Sequence, residues 1–256
     1  MPLNKLPRGV AIVGVGMSKF GAYPDKNGRD LFVEAYKEMT HSVDKGIDPS
    51  AIESFYLGNF SSDLFEHQGH TAPLLADAVG LTPIPAARVE NACASGATAM
   101  RQGVMAIASS MYDVVLVGGV EKMTALPTAD VTDTLATAAD VPFEIAAGFT
   151  FPGFYAAIAT AYMARYGMKP EHLMNVSIKN HDNGALNPYA QFGVTIQKWP
   201  DSRSFTSPQP SWQSRVTEAT SLMSAVSSNW TKASRSARAL PAWTRPNRKR
   251  SRLVQR

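Results

Sequence analysis

Short apolar runs alternate with helix-patterned stretches over the first 120 residues, and this alternation restricts the possible folds more than any other feature. Val10–Val15 (VAIVGV) is apolar and β-branched, the pattern of a buried strand. Leu31–Val43 sets apolar side chains at Leu31, Val33, Ala35, Tyr36 and Met39 with acids between them, which predicts an amphipathic helix. Asp48-Pro49-Ser50 marks a turn, and Glu53–Leu57 reads as a second strand. Thr71–Val79 is helical in pattern, with Pro73 in the first turn, where its missing N–H costs little. Ala87–Asn91, Ala94–Ser110 and Asp113–Gly118 continue as strand, helix and strand. This order predicts an α/β fold of β-α-β layers, with a mostly parallel sheet covered on both faces.

After Glu121 the alternation stops. Thr124–Gly148 is rich in Thr, Ala and Asp without a clean period, and helices are expected over Pro152–Tyr166 and Pro170–Asn180. The chain therefore divides into an α/β core (1–120), an inserted loop or cap over the sheet (121–196) and a tail (197–256).

The tail differs in composition from everything before it. Residues 1–196 carry 13 Lys and Arg against 19 Asp and Glu, whereas residues 197–256 carry 12 against 2. The net charge of +4 is thus set by the tail. All 18 glycines, 8 tyrosines and 5 histidines precede residue 197, and all 4 tryptophans follow it. The tail is expected to be disordered apart from a short helix through Leu222, Met223, Val226 and Trp230. Three readings stay open: the product of a shifted reading frame, a basic arm for nucleic acid or anionic surfaces led by Arg245, Arg248, Lys249, Arg250 and Arg252, or an extension without a partner. Without a recognition fold beside it, the basic cluster is weak support for nucleic acid.

No run of about 18 apolar residues is present, so no transmembrane helix is expected. The amino terminus (MPLNKLPR) lacks the apolar stretch of a secretory signal. A single cysteine excludes an internal disulfide and fits a reducing compartment. A cytoplasmic protein with no membrane partner is expected.

That cysteine, Cys93, falls between a strand and a helix in Val-Glu-Asn-Ala-Cys-Ala-Ser-Gly-Ala. A helix N-terminus carries partial positive charge and free N–H groups, which favour a thiolate and can hold an oxyanion. The same residue types also fit a buried structural cysteine. The helix after it is small-sided (Ala94, Ser95, Gly96, Ala97, Ala99), a face that another backbone can approach closely. Gly14-Val15-Gly16 suggests a dinucleotide loop, but Lys19 stands where the third glycine belongs, and Gly21, Pro24, Asn27 and Gly28 leave no helix opening there. A tight turn is expected instead. His67 and His70 beside Glu66 lack a third ligand, so no metal site is read there. His181, in Lys-Asn-His-Asp-Asn-Gly, is expected in a polar turn after a helix.

Four segments, VAIVGVGMSKFG (10–21), VENACASG (89–96), VGGVEKM (117–123) and KNHDNGALNPYAQF (179–192), together resemble the thiolase superfamily, nearest its sterol-carrier-protein-type and archaeal acetyl-CoA acetyltransferase branch. The resemblance covers about residues 8–196. It implies an acyltransferase in which Cys93 is the acyl-thioester nucleophile and its backbone N–H is half of an oxyanion hole. Coenzyme A thioesters are then substrates, with no permanently bound cofactor, and the 121–196 region helps hold coenzyme A over the site. No coenzyme A-binding residue is assigned. It further implies two similar β-α-β halves, a homo-oligomer for a full-length chain, and a second half that supplies an activating histidine, an Asn- or His-bearing loop and an acid/base cysteine. This sequence has no second cysteine and no histidine after His181, so weak turnover and an uncovered small-residue helix face are expected. The competing readings are a non-catalytic binding or assembly subunit and a tail-mediated binder of anionic surfaces.

Overall fold

The structure is a computed structural model that describes residues 6–195. The readings made for residues 197–256 lie outside the described residues. In chain order the elements are α1 (Gly28–Ser42), β1 (Ser54–Gly58), α2 (Ser62–Phe65), α3 (Thr71–Ala78), β2 (Ala86–Val89), α4 (Ser95–Ala108), β3 (Val115–Gly119), α5 (Thr128–Ala136), α6 (Phe151–Tyr166) and α7 (Pro170–Ala185).

The three strands form a parallel sheet in the order β2-β1-β3. On one face Phe55 and Leu57 are fully buried against Phe32 of α1 and Ala72, Leu75 and Ala76 of α3. Burying each such side chain contributes about 1.5–3 kcal/mol. The register sets Gly118 beside Leu57, and a Cβ at Gly118 would lie 2.6 Å from the Phe32 ring. The opposite face receives α4. A Cβ on Gly58 would lie 2.6 Å from the Gly96 backbone, and one on Gly103 would lie 2.6 Å from Val117 Cγ2. Two missing side chains therefore let α4 rest directly on the sheet.

The expectation that the small-residue face of α4 is left uncovered is met only in part. Ser95, Ala99, Gly103 and Ala106 share one helical face, and all four are buried. Ala94, Gly96 and Ala97 do stay exposed, as Cys93 does.

The amino-terminal segment departs from its reading as a buried strand. Val10–Val15 pairs with no strand among the described residues, and Ile12, Val13 and Val15 are 71, 63 and 66 % exposed. The run lies along α1 instead: Val15 N–H donates to Ser42 Oγ at 2.8 Å and Met17 N–H to Glu38 Oε2 at 2.7 Å. Gly14 and Gly16 are glycines of close approach to Met39 and Ala35 of α1, not residues of a tight turn. β-Branched apolar composition dictates extended backbone but does not supply a partner strand at the required spacing of about 4.8 Å. Here a cavity of about 650 Å³, lined by residues 10–16 and 114–119, separates the segment from β3.

A helix does open at Gly28. Asn27 Oδ1 accepts from Asp30 N–H, and Asp30 Oδ2 accepts from Asn27 N–H, both at 3.0 Å, a reciprocal cap that starts α1 three residues before Leu31. Thr124–Gly148 contains α5 and a π-helical turn at Val141–Ile145. α6 begins at the Thr150 cap and stops at Gly167, whose φ of 68° suits glycine. α7 continues through Gly184, so His181 is a helical residue and not part of a following turn. Neither α6 nor α7 contains a buried residue. The region after 121 is tied to α1 by Tyr189, whose hydroxyl donates to Glu38 and whose carbonyl accepts from Phe20 N–H at 2.9 Å.

Candidate active site

All three parallel strands end on the same side, and the Cys93 turn leaves the end of β2 there. Residues Ala92–Ala94 form one 3₁₀ turn that runs into α4. Ala92 adopts φ +45°, a left-handed conformation that costs a non-glycine residue free energy. Side chains hold the turn from both ends. Ala92 N–H donates to Glu90 Oε1 at 2.5 Å, Asn91 N–H donates to Ser95 Oγ at 2.9 Å, and Ser95 Oγ donates to the Ala92 carbonyl at 2.7 Å. Asn91 Nδ2 donates to Thr98 Oγ1 at 3.1 Å, and that hydroxyl donates to the Ala94 carbonyl at 3.0 Å.

Cys93 is exposed, which removes its alternative reading as a buried structural thiol. Cys93 lies in the turn that leads directly into the 14-residue helix α4. Among the described residues no histidine hydrogen-bonds to it. His41 Nδ1 contacts the Lys37 carbonyl, His172 Nδ1 accepts from Lys169 N–H, and His181 Nδ1 contacts the Val194 carbonyl. His67 and His70 lie between α2 and α3, and the neighbouring Glu66 is engaged by Gly28 N–H at 2.8 Å.

Beside the cysteine turn, the loop after β1 is clamped by charged groups that sequence patterns do not reveal. Glu121 accepts from Phe60 N–H at 2.7 Å and Ser61 N–H at 3.1 Å. Burial raises the pKa of its carboxyl above the ordinary value, opposed by those two N–H groups and by the charge of Arg88. The Arg88 guanidinium donates to the Phe60 carbonyl at 2.6 Å and pairs with Asp63 at 2.8 Å. Buried Asn59 donates to the Val120 carbonyl at 2.8 Å and accepts from Ser62 Oγ at 2.7 Å. The only trace of this network in the sequence is a carboxylate directly after an apolar strand. Its partners lie about 60 residues away in the chain, so no local period reports them.

Lys122 is 4 % exposed and donates from Nζ to the Tyr23 carbonyl at 2.6 Å and to Thr124 Oγ1 at 2.7 Å. It joins the 20–26 loop to the end of β3. Among the described residues no cluster of three or more His, Cys, Asp or Glu side chains is arranged to hold a metal ion. No described helix is long and apolar enough to cross a membrane.

An α/β layered protein with an exposed cysteine on a strained turn at a helix head is thus defined by fold and site. Residues 10–207 match the family model described as "Thiolase, N-terminal domain", and the chain belongs to the thiolase family. It is 44 % identical over 189 residues to an acetyl-CoA acetyltransferase of Methanothermobacter thermautotrophicus, covering 74 % of this chain and 48 % of that protein. To the acetyl-CoA acetyltransferase of Methanocaldococcus jannaschii it is 46 % identical over 189 residues, covering 74 % of this chain and 47 % of the relative. Sterol carrier protein 2 of Gallus gallus is 32 % identical over 200 residues, covering 75 % of this chain and 36 % of the relative. The chain therefore spans about half the length of the archaeal relatives that it matches. The family match extends past the composition break at residue 196.

Proposed function

We propose that the protein acts in thiolase-type acyl transfer, with Cys93 as the acyl-carrying nucleophile and acyl-coenzyme A thioesters as substrates. The observation that carries this reading is the exposed Cys93 on the strained Ala92–Ala94 turn at the head of α4. The relatives named acetyl-CoA acetyltransferase support the substrate class.

In the first half-reaction the Cys93 thiolate attacks the thioester carbonyl carbon. The tetrahedral oxyanion is held by N–H groups at the head of α4, that of Cys93 among them, and collapses to expel coenzyme A as its thiolate. The acyl group then passes to the α-carbon of a second acetyl-coenzyme A, or, in reverse, a 3-ketoacyl thioester is cleaved. That second step needs proton transfer at carbon.

The missing contact between Cys93 and any described histidine favours a second reading alongside the first. In it the chain carries an acyl group, or only binds the thioester, and depends on a second copy or a partner subunit for turnover. General-base assistance is worth about 10²–10⁴-fold, so its absence separates acylation from turnover. The test is release of free coenzyme A from acetyl-coenzyme A, followed with a thiol reagent. One equivalent per chain without sustained release supports an acyl carrier awaiting a partner. Sustained acetoacetyl-coenzyme A cleavage by the 256-residue chain supports a self-sufficient enzyme. No release, with Cys93→Ser indistinguishable from the wild type, rejects acyl transfer.

A further inference from the structure

Ala92 occupies a left-handed conformation, φ +45°, although it is not a glycine, and its N–H is held at 2.5 Å by the carboxylate of Glu90 two residues earlier. Such strain persists only where surrounding contacts over-determine it. The remaining bonds in the turn divide into two sets. Ser95 ties Asn91 N–H to the Ala92 carbonyl, and Thr98 ties the Asn91 side chain to the Ala94 carbonyl. Among the described residues Glu90 alone engages the N–H of the strained residue itself.

We infer that Glu90 is a positioning residue: its carboxylate holds Ala92 at positive φ and so aims Cys93 at an incoming thioester. The inference rests on the acyl-transfer reading above and deepens it. Glu90 does not touch the reacting atoms, and its effect runs through one peptide. Losing the hydrogen bond lets the turn relax and slows acylation.

The experiment compares the wild type, Glu90→Gln, Glu90→Ala and the double variant Glu90→Ala/Ala92→Gly in the full 256-residue chain. The rate of Cys93 acetylation by acetyl-coenzyme A and the rate of its alkylation by iodoacetamide are both measured, with far-ultraviolet circular dichroism as a check on folding. A hydrogen bond to a charged acceptor corresponds to roughly 10- to 100-fold, so Glu90→Ala is expected to slow acetylation by about that factor. Glu90→Gln keeps an acceptor oxygen and is expected to stay within about 5-fold of the wild type. Glycine takes positive φ without the Cβ penalty, so the double variant is expected to recover most of the loss.

Faster acetylation in Glu90→Ala, or an unchanged rate in a folded variant, overturns the positioning role. So does failure of Ala92→Gly to rescue a folded Glu90→Ala chain. If the wild type is not acetylated at all, the acyl-transfer reading fails. The alkylation series then decides the positioning role separately, by the same order of variants.

Discussion

Replacing Gly58 by alanine inserts one methyl group between β1 and the first turn of α4, where the Cys93 turn enters the helix. The new Cβ would lie 2.6 Å from Gly96 Cα and N and 2.7 Å from the Ser95 carbonyl carbon. Carbon pairs prefer about 3.5–4.0 Å, so the overlap is about 1 Å, and every atom involved is backbone. No rotamer change relieves it, and the head of α4 must move. Overpacking of this kind costs about 1–3 kcal/mol, offset by about 0.5–1 kcal/mol because alanine restricts the unfolded strand more than glycine does. The midpoints leave a net loss of about 1.3 kcal/mol, a factor of about 8 in the folding equilibrium. A shift of about 1 Å at a reacting group can cost about 100-fold in rate, so Cys93 acylation should fall further than stability alone explains. Gly103→Ala is the matched control. Its Cβ would also lie at 2.6 Å, but from Val117 Cγ2, a side-chain tip that can yield, and alanine gains up to about 1 kcal/mol inside a helix. Urea denaturation and acetylation rates of the two variants check this. Equal losses in both, or an unaffected Gly58→Ala, would refute the view that α4 is seated by backbone contact at Gly58.

Two further predictions concern pH, and they have opposite signs. The pKa of Glu38 is lowered, first by the hydrogen bond from Tyr189 and then by that from Met17 N–H. Its contribution is therefore fully present above the ordinary carboxylate value and is lost as pH falls through the lowered folded value. The protection factor of Phe20 N–H, which donates to the Tyr189 carbonyl, should fall across that acidic window, and Glu38→Gln should remove that change. Burial raises the pKa of Glu121, so the folded state binds this proton more readily than the unfolded chain. Its contribution falls as pH rises from the ordinary value through the raised folded value, and urea midpoints of Glu121→Gln against wild type should lose that component. Glu121→Ala leaves the Phe60 and Ser61 N–H groups without their acceptor and is expected to cost about 1–3 kcal/mol by the same measurement.

Local pattern carried most of the sheet. Glu53–Leu57, Ala87–Asn91 and Asp113–Gly118 each overlap an observed strand, being short runs with apolar or aromatic residues set between turn and helix signals. The pairing of Val10–Val15 was not legible, since composition gives extended backbone while a partner comes from tertiary structure. The Asn27-x-x-Asp30 cap was present in the sequence but obscured by the nearby glycines and Pro24. Helix α5 spans only nine residues, too short a stretch for its helical period to stand out in the sequence. At the site, the place of Cys93 between a strand and a helix was legible. Glu121, Arg88 and Asn59 were not, because they act on backbone groups far away in the chain. Glu90 lies within the cysteine motif, yet its role depends on the positive φ of Ala92, which an alanine gives no reason to expect.

The central claim is that Cys93 carries the acyl group, and its most direct test is intact-mass and peptide mass spectrometry after brief incubation with acetyl-coenzyme A under mild acid quench. The expected result is a gain of about 42 Da, one acetyl group per chain, mapped to the peptide containing Cys93 and absent in Cys93→Ala, as covalent catalysis requires. An unmodified Cys93, or acetylation confined to lysines and unchanged in Cys93→Ala, would contradict it.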